Sequence, residues 1–262
     1  MTGSPLAQGG PRRLLAALAL VYAMAHAPFL APSLEDIDSV NFALGVRDFD
    51  VATHRPHPPG YPVYIALGKA FTAIAGVGAS RPESTTEARP LALLSLVSGL
   101  IAIACLYRVF ASMNPSSSGV AGDPGAPVDY VAFAATAITA ACPLFWYLGV
   151  RPMSDLPGLA AALASQACLM SAWRIQRPAP GGDRRLAPAG TAASGRLILI
   201  RAFLAALTIG LRSQTVWFTV PLLALVLLDR VGRGFAGALM GGGIMFVVGG
   251  LAWGVPLLVA SG

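Results

Sequence analysis

"YPVYIALGKAFTAIAGVGA", residues 61–79, is the stretch on which the reading of the fold turns. It is one of eight apolar segments, at 14–32, 61–79, 90–112, 129–148, 155–173, 197–211, 213–228 and 235–260. Whether it crosses a membrane decides the side of every later loop. Read as a span after a cytoplasmic N-terminus, it sends the loop "RIQRPAPGGDRRLAPAGTAASGR" (174–196), with its five arginines, outside, together with Arg230 and Arg233. That opposes the tendency of Lys and Arg to remain on the cytoplasmic side. Lys69 also sits at its middle, where an ammonium costs about 2.5–3.5 kcal/mol to insert. We therefore read 61–79 as a juxtamembrane helix on the outer interface.

Seven segments remain as spans: 14–32, 90–112, 129–148, 155–173, 197–211, 213–228 and 235–260. The expected fold is an all-α polytopic membrane protein of about seven transmembrane helices. It forms a single transmembrane domain over residues 1–262, with an outer loop at 33–89 and a cytoplasmic linker at 174–196. Composition supports the class, with 55% hydrophobic and 11% charged residues and a mean hydropathy of +0.67. The net charge of +6 is almost wholly arginine. In so apolar a chain it fits cytoplasmic loops and anionic membrane lipid, not nucleic acid. The arginine and alanine bias points to a GC-rich bacterial genome, and the loop arginines fit a multi-pass protein of the bacterial inner (plasma) membrane with its N-terminus cytoplasmic.

Some signals carry no chemistry. Cys105, Cys142 and Cys168 lie inside apolar runs without metal or redox spacing. Gly237/Gly241 and Gly250/Gly254 have the GxxxG spacing of close helix packing. No Walker, HExxH or GxSxG motif is present.

The seven-span topology places the outer loop, the turn "VRPMSD" (150–155) and the turn "GLRSQ" (210–214) on one side. Glu35, Asp36 and Asp38 follow the first apolar run, where carboxylates are costly unless paired or used. Asp36 reads as a helix cap. "DSVNFALGV" (38–46) reads as an amphipathic helix with Val40, Ala43 and Leu44 on one face and Asp38 at its start. In "ATHRPHPPGYPVY" (52–64), four prolines pre-shape a loop bearing His54, Arg55, His57 and Tyr61. The histidines suit hydrogen bonding to an anionic or hydroxylated ligand better than metal ligation. Arg151 and Asp155 flank one turn, and Arg212 sits in the other, a placement suited to bidentate phosphate binding.

An acidic motif after the first span, "HPPGYPVY", "FWYLGVRPMSDLPGLAAALA" and "GLRSQTVWFTVPLLAL" together resemble the GT-C superfamily. These are membrane glycosyltransferases that use polyprenyl-phosphate sugars. The bacterial branch similar to protein O-mannosyltransferases and the aminoarabinose transferase of lipid A is the nearest in pattern. The resemblance implies transfer of a sugar from a polyprenyl-phosphate donor to a hydroxyl of a lipid, glycan or protein at the outer face. It implies a catalytic acid in the first outer loop, best matched by Asp38, with Glu35 and Asp36 as alternatives of register. Asp155 is the second catalytic candidate. Arg212, Arg151, Arg55, His57 and Tyr61 are the expected donor-binding residues. No cofactor is expected, and a divalent metal is left open. Relatives continue past these helices, so a short or partial C-terminus is expected. The rival readings are a polyprenyl-lipid transporter or flippase and a non-catalytic lipid-binding subunit, although no inverted repeat supports transport.

Overall fold

The computed structural model describes residues 10–75, 87–113, 129–176, 192–228 and 235–260. Most of the expected linker 174–196 therefore lies outside the described residues, as do positions 76–79. The chain forms ten helices among the described residues: α1 (Gly10–His26), α2 (Ile37–Arg47), α3 (Pro62–Ile74), α4 (Ala88–Met113), α5 (Tyr130–Ala140), α6 (Pro143–Leu148), α7 (Asp155–Gln176), α8 (Ala192–Leu211), α9 (Val216–Leu228) and α10 (Phe235–Ala260). Short 3-10 turns join some of them, and no strand occurs among the described residues.

The all-helical class is present, but the expectation of about seven transmembrane helices is corrected. Among the described residues only Ala88–Met113 and Leu239–Val259 are long and apolar enough to cross a membrane, with mean hydropathies of 2.2 and 1.9. The other apolar runs break or shorten for local reasons. The run 129–148 stops at Ala140 and restarts at Pro143, because a proline disfavours helical geometry in the residue before it. At 1.5 Å per residue, helices of 11 to 13 residues such as α5 and α9 fall well short of the ~30 Å hydrocarbon core. Helix α7 has 22 residues but dilutes its apolar surface with Asp155, Ser165, Gln166 and Ser171.

Helix α4 is the central post, packed against α1, α3, α5 and α7. Helix α7 passes the bundle on to α8 and α9, and α8 packs along α10. One core cluster joins α1, α4, α6 and α7 through Tyr22, Leu96, Ile103, Leu106, Phe145, Leu156 and Leu163. A second gathers Phe42, Tyr61, Tyr64, Ile65, Leu91 and Leu211, tying α2 and α3 to the start of α4 and the end of α8. Buried His26 closes the α1–α6 contact, its ring nitrogens 2.7 Å from the Tyr22 carbonyl and 3.1 Å from that of Trp146.

Two sequence readings of faces also change. In α2 the buried positions are Ser39, Phe42, Ala43, Gly45 and Val46, whereas Val40 and Leu44 are exposed. Phe42 wins the inward face because the tyrosines of the proline-rich loop and α3 offer it an aromatic seat. In α10 the close-packing glycine is Gly249, where an added Cβ would lie 2.6 Å from the Phe203 carbonyl oxygen. Gly241 abuts Leu199 and Gly242 abuts Leu227, while Gly250 and Gly254 face open space.

Candidate active site

Asp36 is the N-cap residue of α2, and Ser39 braces that start: its hydroxyl donates to the Asp36 carbonyl at 2.6 Å and accepts from the Asp36 N–H at 3.2 Å. This sets Asp38 in the first helical turn with its side chain 43% exposed. Helix spacing then puts Asn41 one turn above it. Asn41 and Asp38 both face His57: Asp38 Oδ1 lies 3.8 Å from Nε2, and Asn41 Nδ2 lies 3.4 Å from Nδ1.

The loop carrying His57 is closed on itself. Asp50 and Arg55 exchange backbone hydrogen bonds of 2.7 and 2.8 Å. The Asp50 carboxylate accepts from the Thr53 hydroxyl at 2.8 Å and from the Thr53 N–H at 3.2 Å. Those bonds hold the Asp50 carboxyl below its usual range. Gly60, at φ +92°, turns the chain where a side chain would be strained and would meet Leu257 and Val51. The turn delivers His57 and Tyr61 to the Phe42 ring, with centroids 5.9 and 5.1 Å away.

A second group meets this one at Tyr61. Arg212 is the single residue between α8 and a 3-10 turn, Ser213–Thr215. Its Nη2 lies 3.0 Å from Asp155 Oδ1, and its Nη1 donates to Ser154 Oγ at 2.9 Å. Burial raises the Tyr61 phenol, the Arg212 charge pulls it back down, and the Asp38 and Asp155 carboxylates push it up. Tyr61 lies 5.3 Å from the His57 ring and shares a core cluster with Leu211, the neighbour of Arg212, so it stands between the two groups, although they come from α2, α7 and the α8–α9 turn.

Two expected members are engaged elsewhere. Arg151 is hydrogen-bonded to Glu35 and lies 4.7 Å above the Tyr147 ring. The guanidinium holds the Glu35 carboxyl below its usual range. Arg55 pairs with Asp48 at 2.7 Å on the surface. Of the expected residues, the structure gathers Asp38, His57, Tyr61, Arg212 and Asp155. The sequence reading missed Asn41, Ser154 and Gly158. Asn41 was accessible as the i+3 partner of Asp38, whereas a bare glycine facing an arginine leaves no pattern. No group of three or more His, Cys, Asp or Glu side chains that could hold a metal ion occurs among the described residues.

The family described as the protein O-mannosyl-transferase TMEM260 N-terminal domain matches residues 49–232, more than half of the chain. The chain belongs to this family. It is thus a glycosyltransferase-like membrane protein, and its apolar helices agree with a membrane setting. The matched stretch contains His57, Tyr61, Asp155 and Arg212, while Asp38 and Asn41 precede it. No curated protein and no solved structure matches the chain.

Proposed function

We propose that the protein is a GT-C-type glycosyltransferase that moves a sugar from a polyprenyl-phosphate donor to a hydroxyl acceptor at the outer face of a bacterial inner membrane. The family supports mannose as the sugar and a protein hydroxyl as the acceptor. The observation that carries the reading is that Tyr61, 5.3 Å from the His57 ring that faces Asp38, packs in one core cluster with Leu211, next to the Arg212–Asp155 pair.

In this scheme the acceptor oxygen attacks the anomeric carbon, and its proton passes to the Asp38 carboxylate. The bond from that carbon to the phosphate oxygen breaks, and polyprenyl phosphate leaves with the electron pair. Phosphate is a good leaving group, so the need is charge stabilisation more than protonation. Arg212 has five guanidinium N–H groups, of which Ser154 and Asp155 take two, leaving three for phosphate oxygens. Three observations favour Asp38 among the acidic trio: Glu35 is held by Arg151, Asp36 caps α2, and Asp38 faces His57. Membrane lipid and the lipid donor are the implied partners.

The test is to incubate the purified protein in detergent with polyprenyl-phosphate mannose and a Ser/Thr-containing acceptor peptide. Expected are release of polyprenyl phosphate and a mannosylated peptide. Arg212→Lys is expected to weaken donor use by about ten- to a hundredfold, since lysine lacks the planar fork. No release across a panel of polyprenyl-phosphate sugars and acceptors would overturn the reading in favour of a carrier or a lipid-binding subunit.

A further inference from the structure

The first turn of α7 meets Arg212 at three points. Ser154, whose residue is fully buried, accepts from Nη1 at 2.9 Å, and Asp155 Oδ1 lies 3.0 Å from Nη2. The third point is a bare backbone. A Cβ placed on Gly158 would lie 3.0 Å from the Arg212 Cβ and 3.1 Å from its Cδ, so the aliphatic stem runs directly over this glycine. Spacings of three and four residues bring Ser154, Asp155 and Gly158 onto one side of a turn. The Gly158 N–H closes that turn on the Ser154 carbonyl at 2.9 Å.

The backbone of Arg212 is held separately. Its N–H donates to the Thr208 carbonyl at 3.1 Å. Its carbonyl accepts from the Thr215 N–H at 3.0 Å and from the Thr215 hydroxyl at 2.8 Å. Main chain and head group are thus fixed by different helices. A long arginine side chain otherwise loses considerable rotamer entropy on binding a ligand. With stem and head already seated, much of that loss is met on folding, which is what preorganisation means for a charge-stabilising group.

We propose that the first turn of α7 is a positioning cradle for Arg212. Ser154 and Asp155 orient its guanidinium, Gly158 admits its stem, and Asp155 acts through the arginine instead of as a second proton-transfer group. The ligand side of this proposal rests on the donor-phosphate reading above, but the cradle itself does not.

Labelling with phenylglyoxal, read at the Arg212 peptide by mass spectrometry, separates the two. Gly158→Ala, Ser154→Ala and Asp155→Asn should each label severalfold faster than the wild type, and Asp155→Glu should be slower than Asp155→Asn. Gly158→Ala is the mildest variant, because a methyl 3.0 Å from the Arg212 Cβ and 3.1 Å from its Cδ asks the arginine to shift by only a few tenths of an ångström. In transfer assays Gly158→Ala and Asp155→Asn should lower kcat/KM for the donor about tenfold and in parallel, since both act through Arg212. Unchanged labelling in all the variants would overturn the cradle, as would a collapse of kcat in Asp155→Asn that Gly158→Ala does not share. Protection of wild-type Arg212 by polyprenyl phosphate, but not by the polyprenyl alcohol, reports the phosphate reading independently. Faster labelling in the variants without such protection would keep the cradle and remove its phosphate ligand.

Discussion

His57 presents one ring nitrogen to Asp38 and the other to Asn41: Nε2 is 3.8 Å from Asp38 Oδ1, and Nδ1 is 3.4 Å from Asn41 Nδ2. Asp38 and Asn41, one helical turn apart on α2, thus address opposite nitrogens of the same ring.

If Asp38 takes the acceptor proton, Asp38→Asn should lower kcat by at least about a hundredfold, the lower end of general-base contributions. Its half-exposed side chain makes no short hydrogen bond with the fold, so the melting temperature should stay near that of the wild type. Asp36→Asn should be milder. Wild-type kcat in Asp38→Asn, with activity lost in Asp36→Asn or Glu35→Gln, would move the base along the chain.

Arg47 and Glu87 form a two-pronged pair, Nε to Oε1 and Nη2 to Oε2, each at 2.7 Å. Glu87 is buried at the start of α4 and Arg47 ends α2, so the pair clamps α2 to the central helix. Removing one partner leaves the other charge poorly solvated. Glu87→Ala should destabilise by about 2 kcal/mol, discounted because Arg47 is one-third exposed. Denaturant titration in detergent checks the value, and an unchanged midpoint would mean that water replaces the clamp freely.

Glu35 gives a pH dependence. Its hydrogen bond to Arg151, followed by the charge attraction, lowers its pKa from 4.5 in the folded protein. Between that lowered value and 4.5 the unfolded chain binds more protons, so stability rises with pH. The contribution is present above 4.5 and is lost as pH falls through the folded value. The melting temperature of the wild type should exceed that of Glu35→Gln at neutral pH by a small margin, and the margin should close on acidification. A margin independent of pH would assign the effect to packing.

The α8–α10 contact distinguishes two neighbouring glycines. A methyl group on Gly249 would press on the Phe203 carbonyl, part of a helix backbone that yields little. Gly249→Ala should therefore destabilise by about 1–3 kcal/mol. Gly250 faces open space, so Gly250→Ala should be neutral or slightly stabilising through helix propensity. Equal melting temperatures for the two variants would refute this packing.

Helical class, segment positions and the cap at Asp36 were legible because they depend on local chemistry. Apolar run length, proline placement and an acidic residue before an amphipathic stretch act within a few residues. The expectation of seven spans failed where local breaks cut runs that hydropathy alone joins, as at Ala140–Pro143, and where a run forms only a short helix, as in the 13-residue α9. Residue type likewise marked Asp38, Asp155 and Arg212 as chemically capable, together with Glu35, Arg151 and Arg55, because charge is costly in an apolar chain.

What the sequence by itself determined was therefore an apolar helical protein with a few polar clusters whose residues were nameable. Only the tertiary structure decided their partners. Arg151 turned to Glu35, Arg55 turned to Asp48, and Arg212 settled on Ser154, Asp155 and the bare backbone of Gly158. Two of those choices join segments far apart in sequence, at the ends of different helices, and the Arg55–Asp48 pair joins the two arms of a folded loop. Charge and hydrogen-bonding capacity are properties of a residue, but a partner within 3 Å depends on how helices far apart in sequence cross, and that crossing is set by side-chain packing along their whole length.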